Sequence, residues 1–169
     1  MFLLKKYCPK KFNTSLIHQD IIKKLTFLNI DNFMNIILYG NDGTGKYTLG
    51  RMILNHIFNH NIYKLKENIF ESNSKNLVYY SSIYHYEIYL TKFTNKKLFC
   101  NLLFSLTESI NVNNNLYNVI LIKNCQYLDF ETNFILKKII EKCNGFVKFI
   151  LITNSLNKIS KLKSLFLNM

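Results

Sequence analysis

Between an apolar run, Met34-Asn-Ile-Ile-Leu-Tyr39, and a stretch with apolar residues at helical spacing lies Gly40-Asn41-Asp42-Gly43-Thr44-Gly45-Lys46. No other segment of the chain narrows the choice of folds as far. The seven residues fit G-x-x-x-x-G-K, and a strand before with a helix after is the context in which that pattern forms a phosphate-binding loop. Glycines let the backbone curl around an anion, so that successive N–H groups and the positive end of the following helix point at the phosphates, while Lys46 reaches the outer ones.

The pattern is incomplete in a chemically specific way. Its last position is ordinarily Ser or Thr, whose hydroxyl helps hold Mg²⁺, and here it is Tyr47. Thr48 follows, yet one residue turns a helix by about 100°, which carries that hydroxyl off the phosphate side. A metal-dependent ATPase of this kind also needs an acidic pair after a second apolar strand. After Val119-Ile-Leu-Ile122 the chain has Lys123-Asn124 instead. Lysine cannot ligate Mg²⁺ and asparagine cannot take a proton from water. The expectation is ATP or ADP binding with doubtful Mg²⁺, Lys123 supplying part of the metal's charge, and no catalytic residue.

The rest of the chain alternates in the same manner. Ile17 to Leu28 carries a helical stripe, Lys46 to Asn59 a second with a core face of Leu49, Met52, Ile53, His56 and Ile57, and Lys96 to Ile110 and Phe130 to Lys142 two more. Leu77 to Ser81, Tyr84 to Leu90, Val119 to Ile122 and Val147 to Ile152 read as strands, and Asn111-Val-Asn-Asn-Asn115 as a loop. Fully apolar strands alternating with helices predict βαβ units and a parallel sheet covered on both faces. His56 and His60 are four apart, but without a third ligand they read as structural.

Composition sets outer limits. A length of 169 residues suits one domain, and no run is long enough in apolar residues to span a membrane. Cys8, Cys100, Cys125 and Cys143 are far apart and form no C-x-x-C pair, which predicts reduced thiols in a soluble intracellular protein. The start has its apolar residues before its basic ones, the wrong order for a secretory signal. Twenty-two basic against ten acidic residues give +12, suited to a polyanion such as DNA. The abundance of Lys, Asn, Ile, Phe and Tyr equally fits an A/T-rich coding sequence, so two readings of the charge stand side by side.

The order of motifs resembles a small subunit of the replication factor C type of clamp loader, an AAA+ family. Lys6-Tyr7-Cys8-Pro9-Lys10 is similar to the family's K-Y-R-P-K beside the adenine, and Leu16-Ile-His-Gln-Asp20 to L-I-G-H-Q-D without its glycine. Tyr117-Asn-Val-Ile-Leu-Ile122 is similar to the strand leading to the D-E-A-D box. Asn133 to Lys142 resembles the helix written A-L-R-R-T-M-E-K, and Phe149-Ile-Leu-Ile-Thr-Asn154 the sensor strand. Gly45-Lys-Tyr-Thr48 and Ser82-Ile-Tyr-His-Tyr-Glu87 look most like the subunit whose own ATPase site is degenerate.

The resemblance implies an α/β P-loop NTPase of the AAA+ class, a parallel sheet flanked by helices. Residues 1–169 would be its nucleotide-binding core, truncated before the lid and collar domains. It implies nucleotide contacts from Tyr7, Pro9, the loop from Gly40 through Lys46, Tyr47, Thr48 and Asn154, and DNA contacts from Lys137 and Lys138. It also implies partners: other loader subunits in a hetero-oligomeric ring, a sliding clamp and primer-template DNA, in the nucleus or an equivalent compartment, with no membrane. The family's trans-acting arginine would fall at Leu165, and the next sheet strand beyond the chain, leaving the phosphate-loop strand partly uncovered. A stand-alone P-loop ATPase and an interaction module without nucleotide are the rival readings.

Overall fold

The computed structural model describes residues 7–58, 62–72, 75–108, 118–143 and 146–169. Their order is α1 (Gln19–Leu25), β1 (Ile36–Tyr39), α2 (Lys46–Phe58), β2 (Lys66–Ser72), β3 (Lys75–Ser81), β4 (His85–Tyr89), α3 (Lys96–Glu108), β5 (Asn118–Lys123), α4 (Phe130–Cys143), β6 (Val147–Thr153) and β7 (Leu167–Asn168), with a 3₁₀ segment at Asn157–Leu165. Seven strands form one sheet in the order β2-β3-β4-β5-β6-β1-β7. Strands β4, β5, β6, β1 and β7 run parallel, while β2 and β3 pair antiparallel with each other and β3 antiparallel with β4.

Two-residue periodicity divides the sheet between two cores. Ile36, Leu38, Val119, Leu121, Ile150 and Ile152 face α1 and α2. Ile37, Ile120, Ile122, Phe149 and Leu151 face α3, α4 and the 3₁₀ segment. A strand hydrophobic on both sides belongs between two helical layers, and β5 and β6 are nearly continuous in apolar residues for that reason.

Several sequence expectations change. The first helix starts at Gln19 because His18 takes a left-handed φ of 61°. His18 directly follows the place where the related motif has a glycine and this chain has none, and a residue in the left-handed region cannot belong to a right-handed helix. His56 is exposed, while Gly50, Leu54 and Phe58 join the buried face of α2. Strand β2 carries only Ile69 and Phe70 as apolar residues, so its alternation is weak and sequence periodicity does not find it. The sheet is therefore mixed, with an outer hairpin on which Ile69 is 56% exposed.

The uncovered strand is also corrected. β7 pairs parallel with β1, Leu167 and Met169 donating backbone hydrogen bonds to Asn35 and Ile37, and Tyr39 donating to Met169. Asn59, His60, Ile110, the stretch Asn111 to Asn115, Lys6 and Tyr117 lie outside the described residues.

Candidate functional site

The loop after β1 bends on three glycines, Gly40, Gly43 and Gly45, with φ of 146°, 80° and 83°. Side-chain-bearing residues rarely adopt such angles, so the sequence had to place glycine there. The N–H groups from Asn41 to Tyr47 find no acceptor among the described residues. Backbone donors left without acceptors at a helix N-terminus, next to a lysine, form a concave positive surface suited to an anion.

Internal bonds hold the loop. Lys46 Nζ donates to the Gly40 carbonyl at 2.6 Å and to that of Asn41. Thr44 Oγ1 donates to the Asn41 carbonyl at 2.9 Å. Burial lowers the Lys46 pKa from its usual range, and Asp42 opposes that shift. Asn154, at the end of β6, reaches across the sheet, its Nδ2 donating to Asp42 Oδ1 at 2.7 Å. His18 Nε2 lies 2.8 Å from the Thr44 carbonyl. Sequence reasoning named Asn154 and passed over His18, whose only signal was its place in the L-I-H-Q-D stretch.

The opening segment lies along α2. Cys8 Sγ is 3.7 Å from Thr48 Oγ1, and the Lys10 carbonyl accepts from Asn55 Nδ2 at 3.0 Å and from the Tyr63 hydroxyl at 3.1 Å. Tyr7 and Pro9, on either side of Cys8, are thereby held beside the start of α2, with Tyr7 exposed. Thr48 points to this segment, as the helical turn requires. Beside the loop a cavity of about 40 Å³ is lined by His18, Ile21, Tyr39, Thr44, Lys46 and Met169. It has room for a water or so.

Tyr47 does not fill the loop. It turns toward the sheet, its hydroxyl 2.7 Å from Glu87 Oε2 and 2.7 Å from the Tyr89 hydroxyl, which is itself 2.7 Å from Glu87 Oε2. Two hydroxyl protons serve three contacts, so Tyr89 donates to Tyr47 or to Glu87 at any moment. Burial, with donation to Glu87, pushes Tyr47 up to about 12. Glu87 is fully buried. Burial works to raise its pKa, but hydrogen bonds from His85, Tyr47 and Tyr89 and the Arg51 charge bring it below the ordinary carboxylate range. His85 Nε2 is 3.1 Å from Glu87 Oε1, Ser82 Oγ is 2.6 Å from His85 Nδ1, and Arg51 Nε is 3.5 Å from Glu87 Oε1, a charge contact without hydrogen-bond alignment.

Strand periodicity builds this cluster. His85, Glu87 and Tyr89 alternate along β4, and Lys123 pairs in register with Tyr89 on β5. Residues two apart share a face, here the one under α2. β4 lies inside the sheet between β3 and β5, so His85 and Glu87 are flanked by a strand on either side. The Lys123 ammonium stands over two rings, 4.9 Å from the centroid of Tyr47 and 5.4 Å from that of Tyr89. Asn124 adopts a left-handed φ of 64° and donates to the Leu90 carbonyl at 3.0 Å. The end of β5 thus presents no carboxylate to the loop.

The two lysines on α4 are remote from the loop and locally occupied. Lys137 pairs with Glu141 at 3.7 Å, and Lys138 lies 4.5 Å from the Phe134 ring centroid. Leu165 ends the 3₁₀ segment and packs against the core formed with α3 and α4. His56 Nε2 is 3.3 Å from the Thr26 carbonyl, fastening α2 to the end of α1. Among the described residues no helix is long and apolar enough to cross a membrane, and no three His, Cys, Asp or Glu residues group to hold a metal.

Comparison with known proteins gives a consistent picture of the fold. RuvB of Thermotoga maritima superposes with a TM-score of 0.64 at 15% identity, over 96% of this chain and 47% of its own. The ORC1 protein of Aeropyrum pernix, solved in complex with DNA, superposes at 0.59 and 16% identity, over 99% of this chain and 47% of its own. The fold is that of AAA+ P-loop NTPases. In sequence the chain is 25% identical, over 94% of its length, to a protein of Acanthamoeba polyphaga mimivirus described as a replication factor C small subunit, and it covers 46% of that protein. The chain thus spans about half the length of the relative it matches. No family model matches it.

Proposed function

We propose that this chain is the nucleotide-binding core of a clamp-loader small subunit of the replication factor C type, binding ATP or ADP without hydrolysing it. The observation that carries the reading is the pairing of an open loop of unaccepted amides around Lys46 with a β5 strand that ends in Lys123 and is followed by Asn124. The first offers an anion site, and the second lacks the acids that would activate water. Tyr7, Pro9, Thr48 and Asn154 would border the nucleotide. The similarity to a mimivirus protein described as a replication factor C small subunit supports the choice of complex.

In this reading the chain works by assembly. It would join other loader subunits in a ring, help engage a sliding clamp on primer-template DNA, and act where nuclear or equivalent replication takes place. Lys137 and Lys138 would turn to DNA phosphates, since an exposed i,i+4 pair and a ring contact are weak enough to exchange. Leu165 would leave the neighbouring site without a charge from this chain.

The test joins nucleotide titration and turnover on the purified chain to affinity capture from the source cell. The expected result is ADP and ATP binding lost in Lys46→Ala, no turnover above background, and co-purification of loader subunits and clamp. Steady hydrolysis abolished by Lys46→Ala would instead identify a stand-alone ATPase. Association without any nucleotide binding would identify an interaction module.

A further inference from the structure

P-loop NTPases ordinarily place a divalent cation beside the loop, held by a hydroxyl just past the lysine and by carboxylate-bound water at the end of a neighbouring strand. Magnesium demands oxygen ligands in near-octahedral array. The two places hold Tyr47 and Lys123 here, and neither offers magnesium a ligand. The Tyr47 hydroxyl is drawn into the sheet by Glu87 and Tyr89 at 2.7 Å each. Among the described residues the one buried carboxylate nearby, Glu87, is already engaged by the two tyrosine hydroxyls, by His85 and by the Arg51 charge, which leaves it no role as a metal ligand. The residues present do not fit a magnesium ion.

What they fit is a fixed monovalent charge. Lys123 rests on the negative faces of two aromatic rings, contacts that hold an ammonium without neutralising it. It forms no ion pair among the described residues. Tyr47 directly follows Lys46, so the ring on which Lys123 rests belongs to the first turn of the helix whose start forms the cradle. A divalent ion brought to the same place would be repelled by that ammonium.

We propose that the site takes a nucleoside di- or triphosphate without a divalent cation, the Lys123 ammonium supplying the charge that magnesium supplies elsewhere. This rests on the nucleotide-binding reading above and adds the chemistry by which the phosphates are neutralised. Tyr47 is the seat of Lys123, and Glu87 with Tyr89 keeps that seat in place. Removing magnesium leaves the ligand bound.

The experiment is calorimetric titration of the full chain with ATP and with ADP, in excess EDTA and in excess Mg²⁺, with a parallel melting curve for each variant. Expected are affinities that agree within about threefold between the two conditions, and a loss of about tenfold or more in EDTA for Lys123→Met at an unchanged melting temperature. The double change Tyr47→Ser with Lys123→Asp is expected to make binding magnesium-dependent, which a purely structural lysine would not do. Wild-type binding that tightens beyond threefold with Mg²⁺, or a Lys123→Met chain that binds as before, overturns this inference and leaves nucleotide binding standing. No binding in either condition overturns the nucleotide reading as well.

Discussion

Gly50 faces the sheet from the second turn of α2, and a Cβ placed there would lie 3.3 Å from Leu121 Cδ1, 3.5 Å from Leu38 Cδ1 and 3.7 Å from Ile150 Cγ2. The helix approaches β1, β5 and β6 this closely only because the position lacks a side chain. One methyl group can be taken up by small movements of two leucines, and alanine recovers helix propensity, so the two effects offset. A branched side chain has no such room: Gly50→Val is expected to cost about 1–3 kcal/mol, read by urea denaturation as a lower midpoint at unchanged slope. A stability equal to the wild type would mean that the helix can back away from the sheet. Glycines 40, 43 and 45 were legible in the sequence because their requirement is local, a backbone angle set by the loop itself. Gly50 was not, since its reason lies in Leu38, Leu121 and Ile150, on three different strands.

Helix α4 begins with a cap whose charge has a second use. Asp129 Oδ1 accepts from the Thr132 amide at 2.9 Å while Oδ2 pairs with Lys96 from the start of α3. The Lys96 bond, then the Thr132 bonds, hold the Asp129 carboxyl down to about 2, against an ordinary 3.8. A depressed folded-state pKa means stability present above the unfolded value and lost as pH falls through the folded one, here between about pH 4 and pH 2. Both partners are more than a third exposed, so solvent limits the ion pair to a few tenths of a kcal/mol and the cap supplies most of the effect, about 1 kcal/mol. Asp129→Ala is expected to lower the unfolding free energy by about that amount at pH 7, with the gap to wild type narrowing below pH 4 in parallel denaturation curves. A gap independent of pH would deny the carboxylate its part. Elements such as α4 were readable from periodicity, whereas β2 was not, because an exposed edge strand has no buried face to impose alternation.

At the scale of the whole molecule, β7 decides whether the phosphate-loop strand is an edge. Leu167 donates to the Asn35 carbonyl, Met169 to that of Ile37, and Tyr39 to that of Met169. Leu167→Pro removes the first donor and is expected to destabilise the chain by about 1–3 kcal/mol, with faster amide exchange along β1. Unchanged exchange at Ile37 and Tyr39 would mean that β1 stands without β7. The sequence by itself determined the loop, the order of helices and strands and the absence of acids after β5, since each is written in contiguous residues and in the period of the segment that carries it. Only the tertiary structure decided that Tyr47 would meet Glu87, that Lys123 would settle on Tyr47 and Tyr89, and that β7 would cover β1. Those contacts join residues far apart in the chain, and strand register, which fixes them, is set by the packing of the sheet between its two helical layers.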